Sequence, residues 1–327
     1  MNSLFSRSFL RLAALCLTAC CASAVQAQND FPSREIRVVV PLAPGGGTDT
    51  ITRQITDPMG KLLGKPVVVE NRGGAGTVIG MNAVAAAAPD GQTLVVNGDT
   101  VAIFEYIFAD LKFNVFKDFV PVAYFASAPI VLAAHPSFPA NNVRELIELA
   151  KASPGTIPYA TPGVGTPHDL AGLLLMQRAG VEFNAITYKG NGQALVDLMA
   201  GHVSIGMFTI SNVLPHIQTG KLKVLAVVGD KRTPVAPDFP SMAESGLSGV
   251  DVASRYVLLA PAGTPRPALE KLNATVREIA GSQETVRHFL TLGYETMETD
   301  LKESAALLHA ERERWRPILK AAQIQPQ

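Results

Sequence analysis

A short β-branched run, IRVVVP (36–41), stops at three consecutive glycines and gives way at once to a helix-like segment. The same order of strand, glycine-rich turn and helix returns roughly a hundred residues later in TIPYATPGVGTPHDL (156–170). Strand-like and helix-like patterns alternate through the rest of the chain. Parallel strands need long crossovers, usually helical, so this alternation points to an α/β protein with a mostly parallel sheet covered by helices. With 327 residues, 47% of them hydrophobic, the chain outgrows one small core, and two lobes are expected.

In the first half, residues 49–63 read as a helix, with Asp49 at its cap or in its first turn and Pro58 interrupting it. VVVEN (67–71) is a second strand, RGGAG a loop, TVIGMNAVAAAA (77–88) a helix and TLVVN (93–97) a third strand. From Val120 the texture repeats. NNVRELIELAKAS is an amphipathic helix with Asn141 or Asn142 as N-cap, and Pro154-Gly155 closes it. ITYKGNGQALVDLMAGHVSIGMF and LKVLAVVG continue this second unit; a long helix follows APAGTPRP, and the tail carrying Trp315 reads as helical throughout.

The N-terminus has its own signature. Residues 1–11 carry Arg7 and Arg11 and no acid, and the apolar run LAALCLTACCASA is too short to span a bilayer. Val25-Gln26-Ala27 suits cleavage by a signal peptidase, so residues 1–27 are an expected export signal and the mature protein is expected in the periplasm. Leu17-Thr18-Ala19-Cys20 also fits a lipoprotein box, which would place a lipid on Cys20. All three cysteines (Cys16, Cys20, Cys21) fall within this leader. Cleavage after Ala27 would leave no thiol nucleophile or Cys-based metal site, and 26 basic against 28 acidic residues. That balance does not suit nucleic acid.

The glycine loops carry the functional question. PGGGTD (44–49) is not a phosphate-binding P-loop, because no Gly-Lys-Ser/Thr follows. GGAGTVIG (73–80) invites a dinucleotide reading, with Asp99 about twenty residues on, yet its GxGxxxG spacing is one residue off the fingerprint. In PGVGTPHDL (162–170), Thr166 is a good N-cap and Pro167 suits the first helical position. Helix N-termini present unpaired N–H groups and the positive end of the macrodipole. Two such loops on two lobes could clasp one ligand, with the glycines clearing space for main-chain N–H groups to grip a carboxylate. A sharp strand-to-helix turn would need the same glycines, so spacing alone leaves both uses open.

Catalytic patterns are missing. The six histidines are scattered, with no HExxH, and no GxSxG elbow occurs. His168-Asp169 is an acid–histidine neighbour pair beside a glycine loop, but adjacent residues at a helix start diverge and do not form a dyad. No metal or cofactor is expected.

At this point the motifs carry a resemblance. PLAPGGGTD, VVVENRGGAGTVIG, AAAPDGQTL, DFVPVAYFASAPIVL, ATPGVGTPHDLAG, YKGNGQALVDLMAGHV, LPHIQTGKLKVLAV, PDFPSMAESG and APAGTPRPALEKLN occur in order over about residues 35–295. The chain resembles the extracytoplasmic solute-binding proteins of tripartite tricarboxylate transporters, the Bug family. The resemblance implies a type II-like periplasmic binding protein: two Rossmann-like lobes, 28–127 with 254–327 and 128–253, crossing near 126–129 and 250–256. It implies a small organic acid in the cleft, whether di- or tricarboxylate, aromatic acid or acidic amino acid, and delivery to a membrane permease by a monomer. A sensing protein feeding a two-component system and a periplasmic α/β enzyme are the alternatives.

Carried onto this sequence, the first carboxylate loop is Pro44, Gly45, Gly46, Gly47, Thr48 and Asp49. The second is Gly163, Val164, Gly165 and Thr166, with His168 and Asp169. Asn97, Tyr188, Gly190, Asn191 and Gly192 also lie where the family lines its cleft. Asp169 stands where the family usually has histidine, which would favour a ligand with a donor or an amine. Arg255 stands where tryptophan is more common; it either grips a carboxylate bidentately or is a solvated arginine near the hinge.

Overall fold

The computed structural model describes residues 31–188, 190–321 and 326; the leader, its cleavage site and Cys20 lie outside them. Strand β1 (Ile36–Val40) runs into helix α1 (Gly47–Leu63), then β2 (Val67–Asn71), α2 (Val78–Ala85) and β3 (Thr93–Gly98). β1 lies between β2 and β3 and is parallel to both. The second half repeats the device: β5 (Pro158–Thr161), α6 (Pro167–Ala179), β6 (Asn184–Thr187), α7 (Asn191–Met199) and β7 (Ile205–Thr209), with β5 parallel to β6 and β7 on either side. The short helices α3 (Phe104–Ile107) and α4 (Val115–Asp118) and helix α5 (Val143–Ala152) lie between these units. Asn142, not Asn141, caps α5, its side chain accepting from the Glu145 N–H.

Strand β4 (Phe119–Ala134) joins the halves. Its first part pairs antiparallel with β9 (Ala253–Pro261) up to Pro129, and from Ile130 it pairs with β7 and with β8 (Lys223–Val227). Sixteen residues with hardly an exposed position form a strand buried on both faces, which accounts for the unbroken apolar run VPVAYFASAPIVLAA. The strand order is β2-β1-β3-β9-β4-β7-β5-β6, with β8 and the two-residue β10 (Glu295–Thr296) also on β4. The molecule is therefore two-lobed, with β4 common to both sheets.

Each sheet has two packed faces, as the period of two requires. In the first lobe Val38, Leu94 and Val96 meet Ile51, Ile55 and Met59 of α1 and Leu272 and Val276 of α9 (Arg266–Gly281). Val39, Val95 and Val257 face Met81 and Val84 of α2 on the other side. In the second lobe Leu132, Tyr159 and Met207 pack under α5 and α6, while Val131, Ala160 and Phe208 pack under α7 and α8 (Ile210–Gln218).

Pro58 does not interrupt α1, which continues to Leu63 and ends at Gly64 in the left-handed region. An interior proline costs about 3 kcal/mol or more. Ile51, Ile55 and Met59 are each fully buried, and each such side chain contributes roughly 1.5–3 kcal/mol, so packing outweighs the lost hydrogen bond.

After α10 (Gln283–Thr291), helix α11 (Leu301–Ala321) leans on both lobes. Leu308 belongs to a first-lobe core, whereas Trp315 and Leu319 pack with Ile130, Tyr159 and Leu225 at the second-lobe core. Trp315 Nε1 donates to Glu311 Oε2 at 2.7 Å. Among the described residues no helix is long and apolar enough to cross a membrane. Since Trp315 is 1% exposed, Trp315→Ala is expected to lower unfolding free energy by about 3–5 kcal/mol, read as the urea midpoint by circular dichroism. A loss below about 1 kcal/mol would show that α11 does not tie the lobes.

Candidate functional site

In a βαβ unit the crevice lies outside the carboxyl ends of the strands, where successive connections leave in opposite directions. Both lobes have such a point. β1 connects to β2 on one side while β3 lies on the other, and β5 stands in the same relation to β6 and β7. The two points open on one cavity of about 410 Å3 between the lobes. That volume is near the lower end of the roughly 300–1,000 Å3 typical of small-molecule sites.

The first glycine loop enters at the start of α1. Gly46 is the N-cap, in extended conformation, and Gly47 and Thr48 line the cavity. A Cβ on Gly47 would lie 3.0 Å from the Tyr294 hydroxyl, so glycine here lets that hydroxyl approach the helix start. Asp49 does not cap α1 and does not line the cavity. Its Oδ2 accepts the Gly45 N–H at 2.9 Å, and Oδ1 accepts from Asn71 Nδ2 at 3.0 Å and pairs with Arg53 at 2.9 Å. The Arg53 hydrogen bond holds its pKa down at about 2, so the side chain is a permanent anion that folds the loop back on itself. Pro44, Gly45 and Gly46 are exposed and outside the cavity lining.

The second loop is built the same way. Thr166 caps α6 through the Asp169 N–H, with Pro167 in the first turn. Asp169 Oδ2 accepts the Gly165 N–H at 3.0 Å, again four residues back, and Oδ1 accepts from Thr161 Oγ1 at 2.9 Å. Val164, Gly165, Thr166 and His168 line the cavity, whereas Gly163 and Asp169 do not. The carboxylate is spent on the loop, which removes it as a direct partner for a ligand amine. Unlike Asp49 it has no arginine beside it, and burial pushes its pKa up. Gly165 has φ +73°, and a Cβ there would lie 2.2 Å from Ile107 Cδ1 of the first lobe, so only glycine suits that contact across the cleft.

His168 is buried, with Nε2 2.9 Å from Thr209 Oγ1, and burial pushes its pKa down to about 4. It is therefore a neutral hydrogen-bonding group at ordinary pH. Asn97 lines the cavity, donating to Thr77 Oγ1 at 3.1 Å and accepting from the Gly98 N–H at 2.8 Å. Thr77 itself holds φ +81°, a left-handed conformation costly for a threonine. Gly190 and Asn191 reach the cavity at the start of α7. Tyr188 and Gly192 are not among the lining residues; the Tyr188 hydroxyl donates to Asp197 at 2.7 Å and Gly192 is exposed.

Arg255 is not a solvated surface arginine. Its side chain is 20% exposed and lines the cavity floor, with Nη1 2.9 Å from Glu311 Oε1 and 3.4 Å from Asp99 Oδ2. Asp99, the would-be ribose acid, is buried beneath it and engaged there, and burial with Glu311 close by pushes its pKa up to about 7. Sequence reasoning missed Thr209 at the end of β7, Ser211 and Asn212 in the first turn of α8, Ser254 and Tyr256 on β9, Tyr294, and the apolar wall of Phe104, Ile107 and Phe108. Adjacency to Arg255 was the only local signal, for Ser254 and Tyr256. Among the described residues no group of three or more His, Cys, Asp or Glu could hold a metal ion.

Residues 51–324 match the Tripartite tricarboxylate transporter family receptor. Protein BugT of Bordetella pertussis is 33% identical over 305 residues, covering 93% of each chain. The solved structure of R. palustris Rpa4515 with adipate superposes with a TM-score of 0.82 at 30% identity, over 91% of this chain and 100% of that one. MatC from Rhodopseudomonas palustris, solved with bound malate, gives 0.75 at 34% identity, over 88% and 100%. With the match running through both lobes, the chain belongs to the tripartite tricarboxylate transporter receptor family, the Bug-type periplasmic solute-binding proteins.

Proposed function

We propose that this protein captures a small organic carboxylate between its lobes and delivers it, as a monomer in the periplasm, to a tripartite tricarboxylate-type membrane permease. In this reading residues 1–27 are removed on export, and the lobes comprise 28–127 with 254–327 and 128–253. The observation that carries it is the pair of aspartate-folded glycine loops, each opening a helix, on opposite walls of one cavity. Helix starts of this kind favour anions, and the adipate and malate held by the two neighbours are both carboxylates.

Binding proceeds without turnover. Both loop aspartates are engaged in holding amides and His168 is neutral, which leaves the first-turn N–H groups and neutral hydroxyls to take the ligand. Each anion contact at a helix start contributes roughly 1 kcal/mol, more when dry and charge-assisted. Micromolar affinity requires about 8 kcal/mol, so several such contacts from both walls must act together. A ligand favours closure only through contacts that improve as the lobes meet.

A thermal-shift screen of small organic acids is expected to raise the melting temperature of the purified protein, because ligand binds the folded state. No shift with any acid, or steady conversion of one, would count against this reading. Gly46 is in extended backbone with its nearest would-be Cβ contact at 3.6 Å, so a side chain is accepted there, and aspartate is a good N-cap. Gly46→Asp is therefore expected to fold with an unchanged melting temperature and to lose at least a hundredfold in acid affinity. Retained affinity would remove the first loop from the site. Gly165→Ala is expected to weaken binding at least tenfold by driving a methyl into Ile107, and adding Ile107→Ala should recover part of that loss; no recovery would mean that closure does not run through this contact.

A further inference from the structure

The two helix starts that meet the cavity are finished differently. Thr166 caps α6 with its hydroxyl, whereas the N-cap of α1 is Gly46, which has no side chain to offer. The first-turn N–H groups of α1 are donors that the helix itself does not satisfy. Two tyrosine hydroxyls from distant parts of the chain converge on the same place. The Cβ that Gly47 lacks would lie 3.0 Å from the Tyr294 hydroxyl and 3.5 Å from that of Tyr256. All three residues line the cavity, and Tyr256 and Tyr294 are 8% and 5% exposed.

Both rings are held in place. Tyr256 is part of β9 and packs on Phe125 and on Tyr294, with ring centroids 6.5 and 5.8 Å apart. Tyr294 lies between α10 and β10, its N–H donating to the Phe289 carbonyl at 2.9 Å. Beside it Gly293, at φ +84°, presses so close to the start of α8 that a Cβ would lie 2.6 Å from Ser211 Cβ. Little side-chain freedom is left for a ligand to freeze. Among the described residues each hydroxyl has the other as its hydrogen-bonding neighbour. A pair of hydroxyls with one bond between them has one O–H left over. Burial raises both phenols; the bond adds to the rise for Tyr256 and offsets it for Tyr294, as when Tyr256 donates and Tyr294 accepts. The remaining O–H is then that of Tyr294, the hydroxyl nearer the helix. Amide and phenol donors thus gather at one point and call for an acceptor.

We propose that the Tyr294 hydroxyl donates to the ligand carboxylate at the start of α1, and that Tyr256 is a positioning residue whose own hydroxyl holds and polarises that of Tyr294. The inference rests on the reading that the α1 loop holds a carboxylate. A hydrogen bond to an ionised acceptor is shorter and roughly twice as strong as a neutral one. A chain of two hydroxyls ending on an anion strengthens it further, because each bond polarises the next.

Titration calorimetry of the purified protein with citrate, adipate, benzoate and glutamate tests it. Tyr294→Phe is expected to weaken the tightest-binding acid at least tenfold and Tyr256→Phe about threefold, with the melting temperature kept in both. Since Tyr256 acts through Tyr294, adding Tyr256→Phe to Tyr294→Phe is expected to cost nothing more; a further loss overturns the positioning role. The near-ultraviolet difference spectrum on adding that acid is expected to show a tyrosine band that Tyr294→Phe abolishes, a signature that a merely structural role would not give. Gly47→Ala, which puts a methyl at the point where the hydroxyls meet and suits a helix, is expected to weaken the acid tenfold without lowering the melting temperature. Wild-type affinity in Tyr294→Phe, or in Gly47→Ala should the first variant not fold, overturns the proposal while leaving the carboxylate reading in place. If none of the four acids gives heat with the unaltered protein, the carboxylate reading itself fails and takes this inference with it.

Discussion

A strand hydrogen-bonded into two sheets cannot twist for one of them without moving the other. β4 is that strand here: β9 along its first part, β7 and β8 along its second. Its register fixes how the carboxyl ends of β1 and β3 face those of β5 and β7, and so fixes where the cleft lies. The rest of the site is local elaboration on that frame. Each central parallel strand needs a sharp exit into a helix, each exit is rich in glycine, and each helix start is left with N–H groups that its own helix cannot satisfy.

A carboxylate inside a loop proposed to hold an anion looks self-defeating, yet both loops have one at the same offset. Asp49 and Asp169 each accept the N–H of the glycine four residues earlier. The geometry explains the choice. The carboxylate closes the turn from below, so the helix-start amides above it are ordered before any ligand arrives and their ordering entropy is spent on folding, not on binding. Electrostatically the loops differ. Asp49 is neutralised by Arg53 and stays ionised, while Asp169 leans on a hydroxyl and a backbone amide alone. Among the described residues, then, Arg53 stands against the carboxylate of the first loop and no cation stands against that of the second.

What was legible in the sequence was what short-range chemistry decides. Thr166-Pro167 opens α6 because a hydroxyl cap followed by proline suits the first turn, and Asn142 caps α5 for the same reason. The strand–glycine–helix units sit where alternation and turn residues put them. Pro58 was misjudged because three buried side chains outvote one local rule. Asp49 and Asp169 were placed in the right loops and assigned the wrong direction, since a side chain's aim depends on which amide it reaches. Thr209 and Tyr294 had no local pattern to betray them; strand pairing and the packing of distant segments bring them to the cleft. Arg255 could be read either way until Glu311, fifty-six residues further on, closed on it.

The placement of these groups also decides what closure can sense. Ser254, Arg255 and Tyr256 belong to β9, bound along its length to the shared β4, so in the proposed closure the floor would stay nearly fixed while the walls rotate. Contacts to the floor therefore strengthen binding about equally in open and closed states and do little to drive closure. The groups that would differ between the states of that closure are on the walls: the helix starts of α1 and α6, Asn191, and Ile107 seated on Gly165. Affinity and signalling are thus carried by different residues. An acid that satisfied only the floor would occupy the site and leave the lobes apart, whereas one that spans both walls gains contacts only as they meet. On the proposed capture reading, a partner that recognises the closed shape would therefore be presented with a ligand chosen by the walls.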